Sequence, residues 1–142
     1  MTNRTAARLP LSRARIAGLA EGVLRAERVR EALVSVTLIS PRAIAALNHR
    51  HLGHRGATDV LSFAFARAAG APIIGDVYVA PDVARTNAKR IGIAAREELA
   101  RLVVHGTLHV LGYDHPDGEE RLASPMWRRQ ERLLARALGA RR

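Results

Sequence analysis

The chain contains no cysteine among its 142 residues. That absence excludes disulfides, thiolate metal sites and cysteine nucleophiles, and it leaves histidine and carboxylate as the only strong metal ligands. Lysine is almost missing too. Lys89 is the sole example, so the rest of the 23 basic residues are arginine. No apolar run approaches the roughly 18 residues that a membrane-spanning helix needs. The segment Met1 to Arg15 is basic but lacks an apolar stretch with a cleavage site, so it does not read as a secretory signal. A cytoplasmic protein with no membrane partner is the simplest expectation.

Acidic residues are also scarce: 13 against 23 basic ones, for a net charge of +10. The planar arginine fork suits phosphate. A basic surface of this size favours a polyanionic partner, most commonly nucleic acid. Arginine and alanine richness also accords with a GC-rich coding bias, so charge alone does not define the partner. The apolar fraction of 48% and charged fraction of 25% are those of an ordinary globular chain. The length suits one domain, residues 1–142, with the polar first ten residues poorly ordered.

The most informative segment is His105-Gly106-Thr107-Leu108-His109-Val110-Leu111-Gly112-Tyr113-Asp114-His115. His105 and His109 are four apart, hence on one helix face about one turn from each other. Gly112 can adopt the left-handed conformation that ends a helix and reverses the chain. The reversal brings His115 back toward the other two. Three neutral imidazoles about one point form a three-ligand zinc site whose fourth position stays open, the mark of a catalytic centre. The spacing is that of the metzincin zinc peptidases, except that Gly106 stands where those enzymes place a glutamate. That glutamate takes the proton from the zinc-bound water. Glycine cannot, so the peptidase reading keeps the ligands and loses the base. Asp114 is either an acceptor that fixes an imidazole tautomer or a residue capping the turn.

Hydrophobic periodicity places the motif in an α+β fold: a small mixed β-sheet of three to four strands flanked by about five helices. Ser12 caps a first amphipathic helix through Leu24. A strand runs from Leu33 to Ile39, with Val34, Val36 and Leu38 on one face. Ser40-Pro41 opens a short helix to Asn48. A polar loop over 48–58 carries His49, Arg50, His51, His54 and Arg55. Strands follow at Val60 to Phe65 and Ile73 to Ala80. Pro81-Asp82 opens a helix to about Arg90, and the long histidine helix spans Ala95 to Leu111. A last helix runs from about Glu119 to Leu138, with Met126, Leu133 and Leu134 inward. Thr58 and Ser62 are candidates to line a cleft. Gly75 allows close backbone approach, and Asp76 beside it is a turn former or a site residue.

Taken in order, Thr58-Asp59-Val60-Leu61-Ser62-Phe63, Gly75-Asp76-Val77 and the histidine segment resemble the YbeY family of bacterial endoribonucleases. Met126 and Glu131 resemble that family's closing pattern. The resemblance covers roughly Leu33 to Leu138. It implies one divalent ion, zinc being the first choice, on His105, His109 and His115. It also implies single-strand RNA cleavage in 16S rRNA 3′-end maturation and ribosome quality control, with the 30S and 70S ribosome as partners. The implied sheet is mixed and four-stranded, its fourth strand falling in residues 1–10, where this chain is short and polar. One departure stands out. The family carries a Tyr-Arg pair before the Thr-Asp-Val-Leu-Ser-Phe stretch, and here those positions hold His51 and Leu52; the usual proline before the threonine is Ala57. Arg50 or Arg55 can reach the same phosphate from a neighbouring position, with Thr58 beside them. The alternative is a ribosome assembly factor whose metal is mainly structural and whose nuclease activity is weak or missing.

Overall fold

The computed structural model describes residues 9–52, 58–65, 68–116 and 118–139, with backbone alone at positions 2, 3 and 52. Strands β1 (Thr2–Asn3), β2 (Ala32–Leu38), β3 (Val60–Ala64) and β4 (Ile73–Val79) form one sheet in the order β1-β2-β4-β3. β1 and β4 pair parallel to β2, while β3 pairs antiparallel to β4. The fourth strand therefore exists, but it is reduced to two residues pairing with Thr37 and Leu38. Thr2–Asn3 form a strand and Leu9 packs on the core, while residues 1 and 4–8 lie outside the described residues.

Among the described residues five α-helices surround the sheet: α1 (Arg13–Ala26), α2 (Pro41–Leu52), α3 (Pro81–Ile91), α4 (Ala95–Val110) and α5 (Pro125–Gly139). The Ser12 hydroxyl caps α1 by accepting from the Arg15 amide at 3.2 Å, which satisfies one of the orphan donors of the first turn. Gly92 ends α3 at φ 81°, a left-handed conformation natural to glycine.

Alternation sorts the strand side chains between two layers. Val36, Leu38, Val77 and Val79 face α1 and α4 and form the main core with Leu99, Val103 and Leu134. On the opposite face α2 covers Leu61 and Tyr78, packing Ile44 and Leu47 there. α4 is buried on most of its circumference, from Leu99 through Val110, as expected of a helix apolar nearly all round. Its two histidines are therefore presented from the best-anchored helix in the molecule.

Two boundaries differ from the sequence reading. The helix opened by Pro41 does not stop at Asn48 but runs to Leu52, so His49, Arg50 and His51 are helical rather than part of a loop. Ile44 and Asn48 continue its buried stripe, and the basic last turn complements the negative end of the helix dipole. The final helix is two elements: a 3-10 helix over Gly118–Ala123, then α5. Ser124 divides them. Its hydroxyl accepts from the Trp127 amide at 3.1 Å, and the residue before a proline is pushed out of helical conformation.

Candidate metal centre

α4 ends in a way that builds the site. Leu111 is its C-cap and Gly112 follows at φ 103°. The Gly112 amide donates to the His109 carbonyl at 3.0 Å, and the Tyr113 amide donates to the Leu108 carbonyl at 3.1 Å. Those two bonds make a Schellman turn, and Tyr113 packs against the apolar cluster that holds Leu108. The Asp114 carboxylate accepts from the His115 amide at 2.8 Å and holds the chain reversal. His115 is thereby returned to the helix. Ring centroids lie 4.6 Å apart for His105 and His109, 5.1 Å for His105 and His115, and 5.0 Å for His109 and His115. One ring nitrogen of each lies within 4.8 Å of the others.

Each imidazole has an oxygen opposite its Nδ1: the Gln130 side-chain carbonyl for His105 at 2.6 Å, the Tyr113 backbone carbonyl for His109 at 2.9 Å, and the Pro116 carbonyl for His115 at 2.8 Å. Those oxygens only accept, so each Nδ1 carries the proton and donates it. Three Nε2 lone pairs remain, and they are the atoms available to a cation. Outer acceptors that fix tautomer and ring angle in this way are characteristic of metal-binding histidines. Burial, reinforced by the neighbouring imidazoles, pushes His105 down to about 4 and His109 below its ordinary value. Both are therefore neutral near pH 7, the form that ligates. The donor set and its support fit one divalent ion of the zinc type.

Gln130 extends the support inward. Its amide NH donates to Glu131 at 3.0 Å, which orients the carbonyl toward His105. Glu131 in turn accepts a two-pronged bond from Arg101 at 2.9 and 3.1 Å. Glu97 and Glu98 hold the rest of the same guanidinium. Below the turn, the Tyr113 hydroxyl donates to Glu27, whose other oxygen pairs with Arg129 at 2.6 Å. The centre is thus tied to α1 and α5 as well as α4. Gln130 was missed by the sequence reading, yet a signal existed: it stands on the apolar stripe Met126, Gln130, Leu133, Leu134 of α5, at 1% exposure. A polar residue on a buried stripe needs a partner.

Gly106 has a structural reason. A Cβ built there would lie 2.5 Å from Val77 Cγ1 and 3.1 Å from both the Ser62 hydroxyl and Val60 Cγ2. The position points into the sheet, and the Ser62 hydroxyl donates to the Gly106 carbonyl at 2.8 Å. A glutamate there has no room, so the peptidase base is excluded by packing as well as by residue type. Gly75 is the matching contact, since its Cβ would meet Val110 at 2.5 Å.

The remaining sequence-flagged residues fall as follows. Thr58 is partly buried and immediately precedes Asp59, which lines a cleft shared with His105 and His115. Ser62 braces α4 rather than opening on that cleft. Arg50 is exposed at the end of α2, beside Thr37 and Tyr78, on the sheet face opposite α4. His51 makes an edge contact with Phe63. Asp76 accepts from the Ser35 hydroxyl on the α2 side of the sheet. Arg55 and His54 lie outside the described residues.

Fold and site together define a class: an α+β domain that presents three tautomer-locked histidines from a helix end and the turn after it. The sequence comparisons place the chain within that class. A family profile for endoribonuclease YbeY matches residues 2–138, and the chain belongs to the YbeY family. It is 41% identical over 138 residues to the endoribonuclease YbeY of Frankia casuarinae, covering 89% of this chain and 68% of that one. It is 39% identical over 136 residues to the Thermobifida fusca protein of the same name, covering 89% and 86%. Among solved structures it resembles a solution structure of a Thermotoga maritima protein, with TM-score 0.62 and 26% identity, covering 99% of this chain and 91% of the other.

Proposed function

We propose that this protein is a metal-dependent, single-strand-specific endoribonuclease acting in 16S rRNA 3′-end maturation and ribosome quality control, with the 30S and 70S ribosome as partners and the cytoplasm as its place of action. One observation carries the reading: three histidines whose Nδ1 protons are all committed to oxygens, leaving three converging Nε2 lone pairs. Family membership and a net charge of +10 support RNA as the substrate. Among the described residues no helix is long and apolar enough to cross a membrane.

His105, His109 and His115 would hold the ion, for which zinc is the first choice. A divalent ion bound there supplies Lewis acidity, bringing a water's pKa toward ~7 and offsetting charge on the phosphate oxygens as the phosphodiester is attacked. The chain's own residues do the rest. Gln130 and the Tyr113 and Pro116 carbonyls keep the rings aimed. Asp114 keeps the turn that delivers His115. Arg55 and Thr58 would position the strand through its phosphates, whereas Arg50, on the sheet face opposite α4, stands away from the ion's place.

Leu52, standing where the family carries arginine, favours a second reading: an assembly factor whose metal is mainly structural. Incubating the purified protein with labelled rRNA, with and without chelator, separates the two. Cleavage lost on chelation, restored by zinc and lost in His109→Ala supports the nuclease. rRNA binding with no cleavage under any divalent metal supports the assembly factor.

A further inference from the structure

The cleft beside the histidines extends well past them. It encloses about 340 Å³, inside the ~300–1,000 Å³ range of small-ligand sites. Its walls are apolar on several sides: Ile91, Ile93, Leu102 and Trp127. Ile91 is 59% exposed, a large apolar side chain at the mouth rather than in the core. Asp59, at the entrance to β3, lines the same cleft. Burial raises its pKa, the backbone amides of Asp59 and Val60 oppose that, and the Asn87 side-chain amide approaches it at 3.5 Å. A carboxylate offers about four acceptor positions, so capacity remains for a ligand's donors.

The charges in the cleft are unequal in availability. Arg101 is consumed by Glu97, Glu98 and Glu131. Arg121, from the 3-10 helix, lines the same cleft and forms no ion pair among the described residues. It lies close enough to both His105 and Asp59 to act on each electrostatically. It is thus a cation without an ion-pair partner among the described residues, in the same cleft as His105 and His115.

We infer that this cleft is a single-nucleotide subsite of the proposed RNA site: Arg121 takes the phosphate next to the ion, Ile91, Ile93, Leu102 and Trp127 take the base, and Asp59 accepts from the base's exocyclic amine. The inference rests on the nuclease reading for its substrate class but not for its geometry. Apolar and aromatic surfaces accept any base face. Asp59 adds discrimination, because adenine and cytosine present an exocyclic amine and uracil does not. A site built to bond an amine rejects the analogue lacking it, since the buried acceptor is then left without its donor.

Trp127 is the only tryptophan in the chain, so the intact protein reports on the cleft by its own fluorescence. Titration with AMP, CMP and UMP in zinc-loaded protein is expected to shift Trp127 emission, with AMP and CMP binding about ten-fold more tightly than UMP. Asp59→Asn, whose amide can donate to the uracil carbonyl, is expected to shrink or invert that ratio. Arg121→Gln is expected to weaken all three and lower the salt slope of short-RNA binding by about one. Arg15→Gln, the same charge change on the exposed start of α1, should alter neither. Identical AMP, CMP and UMP curves, or emission indifferent to all three, would overturn the subsite even if chelator-sensitive rRNA cleavage persists. Conversely, an amine preference that responds to Asp59→Asn in a protein that cleaves no RNA would uphold the subsite and sink the nuclease reading. Should Asp59→Asn fail to fold, the wild-type base ratio and the Arg121→Gln salt slope still decide.

Discussion

At Gly106 the helix and sheet are in contact closely enough that one methyl group matters. The added Cβ of Gly106→Ala would sit 2.5 Å from a Val77 methyl, and overpacking of this kind costs ~1–3 kcal/mol. Thermal unfolding should show a lowered midpoint, and an unchanged one would contradict the contact. Gln130 has the opposite character, since it is tolerated in the core only because His105 and Glu131 use it. Gln130→Leu keeps volume and removes the acceptor. Loss of such a partner lowers metal affinity ~10–100-fold, readable by competition with a colorimetric chelator, while the circular dichroism spectrum should stay native. At this scale the three converging histidines were readable in the sequence, because histidine spacing on a helix is a one-dimensional quantity. Their acceptors were not. Gln130 and the Pro116 carbonyl reach the rings from other elements or from a turn, and no spacing rule predicts which oxygen a ring nitrogen will meet.

Elements were legible wherever periodicity and punctuation agreed. β2, β4, α1, α3 and α4 follow their apolar patterns to within a residue or two, and Ser12, Gly92 and Gly112 mark their ends. Expectation and structure part where a local signal was outweighed: the histidines after Asn48 looked like loop but extend α2, and Ser124-Pro125 broke a continuous helical pattern. The turn after α4 is the element on which the site depends. Gly112→Ala forces a Cβ into φ 103°, at ~1–2 kcal/mol of stability. Because Tyr113 and His115 follow directly, its effect on zinc affinity is expected to exceed that of Gly18→Ala, a helical glycine whose added Cβ meets nothing within 4 Å. Equal zinc affinities for the two variants would show that the turn does not position the ligands.

For the molecule as a whole, the sharpest test is pH. His105 is held near 4, against an ordinary 6.5, mainly by burial. Between those values the unfolded chain carries a proton that the folded chain does not, so stability rises with pH across the window and falls as the solution is acidified. The metal-free protein is expected to lose up to about 3 kcal/mol from this residue between pH 6.5 and 4. Urea midpoints at pH 7.5, 5.5 and 4.5 would show it, and a flat profile would contradict it. Zinc affinity of the folded protein should fall as the pH approaches 4, where His105 itself takes up the proton that competes for its lone pair.

The amino-acid sequence alone determined the chemistry available to this protein. Without cysteine, with arginine in excess and with histidines at 105, 109 and 115, the candidate ligand set and the charge were fixed, as was glycine in place of the peptidase glutamate at 106. Those are properties of residue type and short spacing, which do not wait on folding. Only the tertiary structure decided which nitrogen of each histidine is free, why position 106 admits no side chain, and that Asp59, Arg121 and Trp127 share one cleft with His105 and His115. Those outcomes come from contacts between elements dozens of residues apart, where burial and directional hydrogen bonds, not pattern, choose the partner.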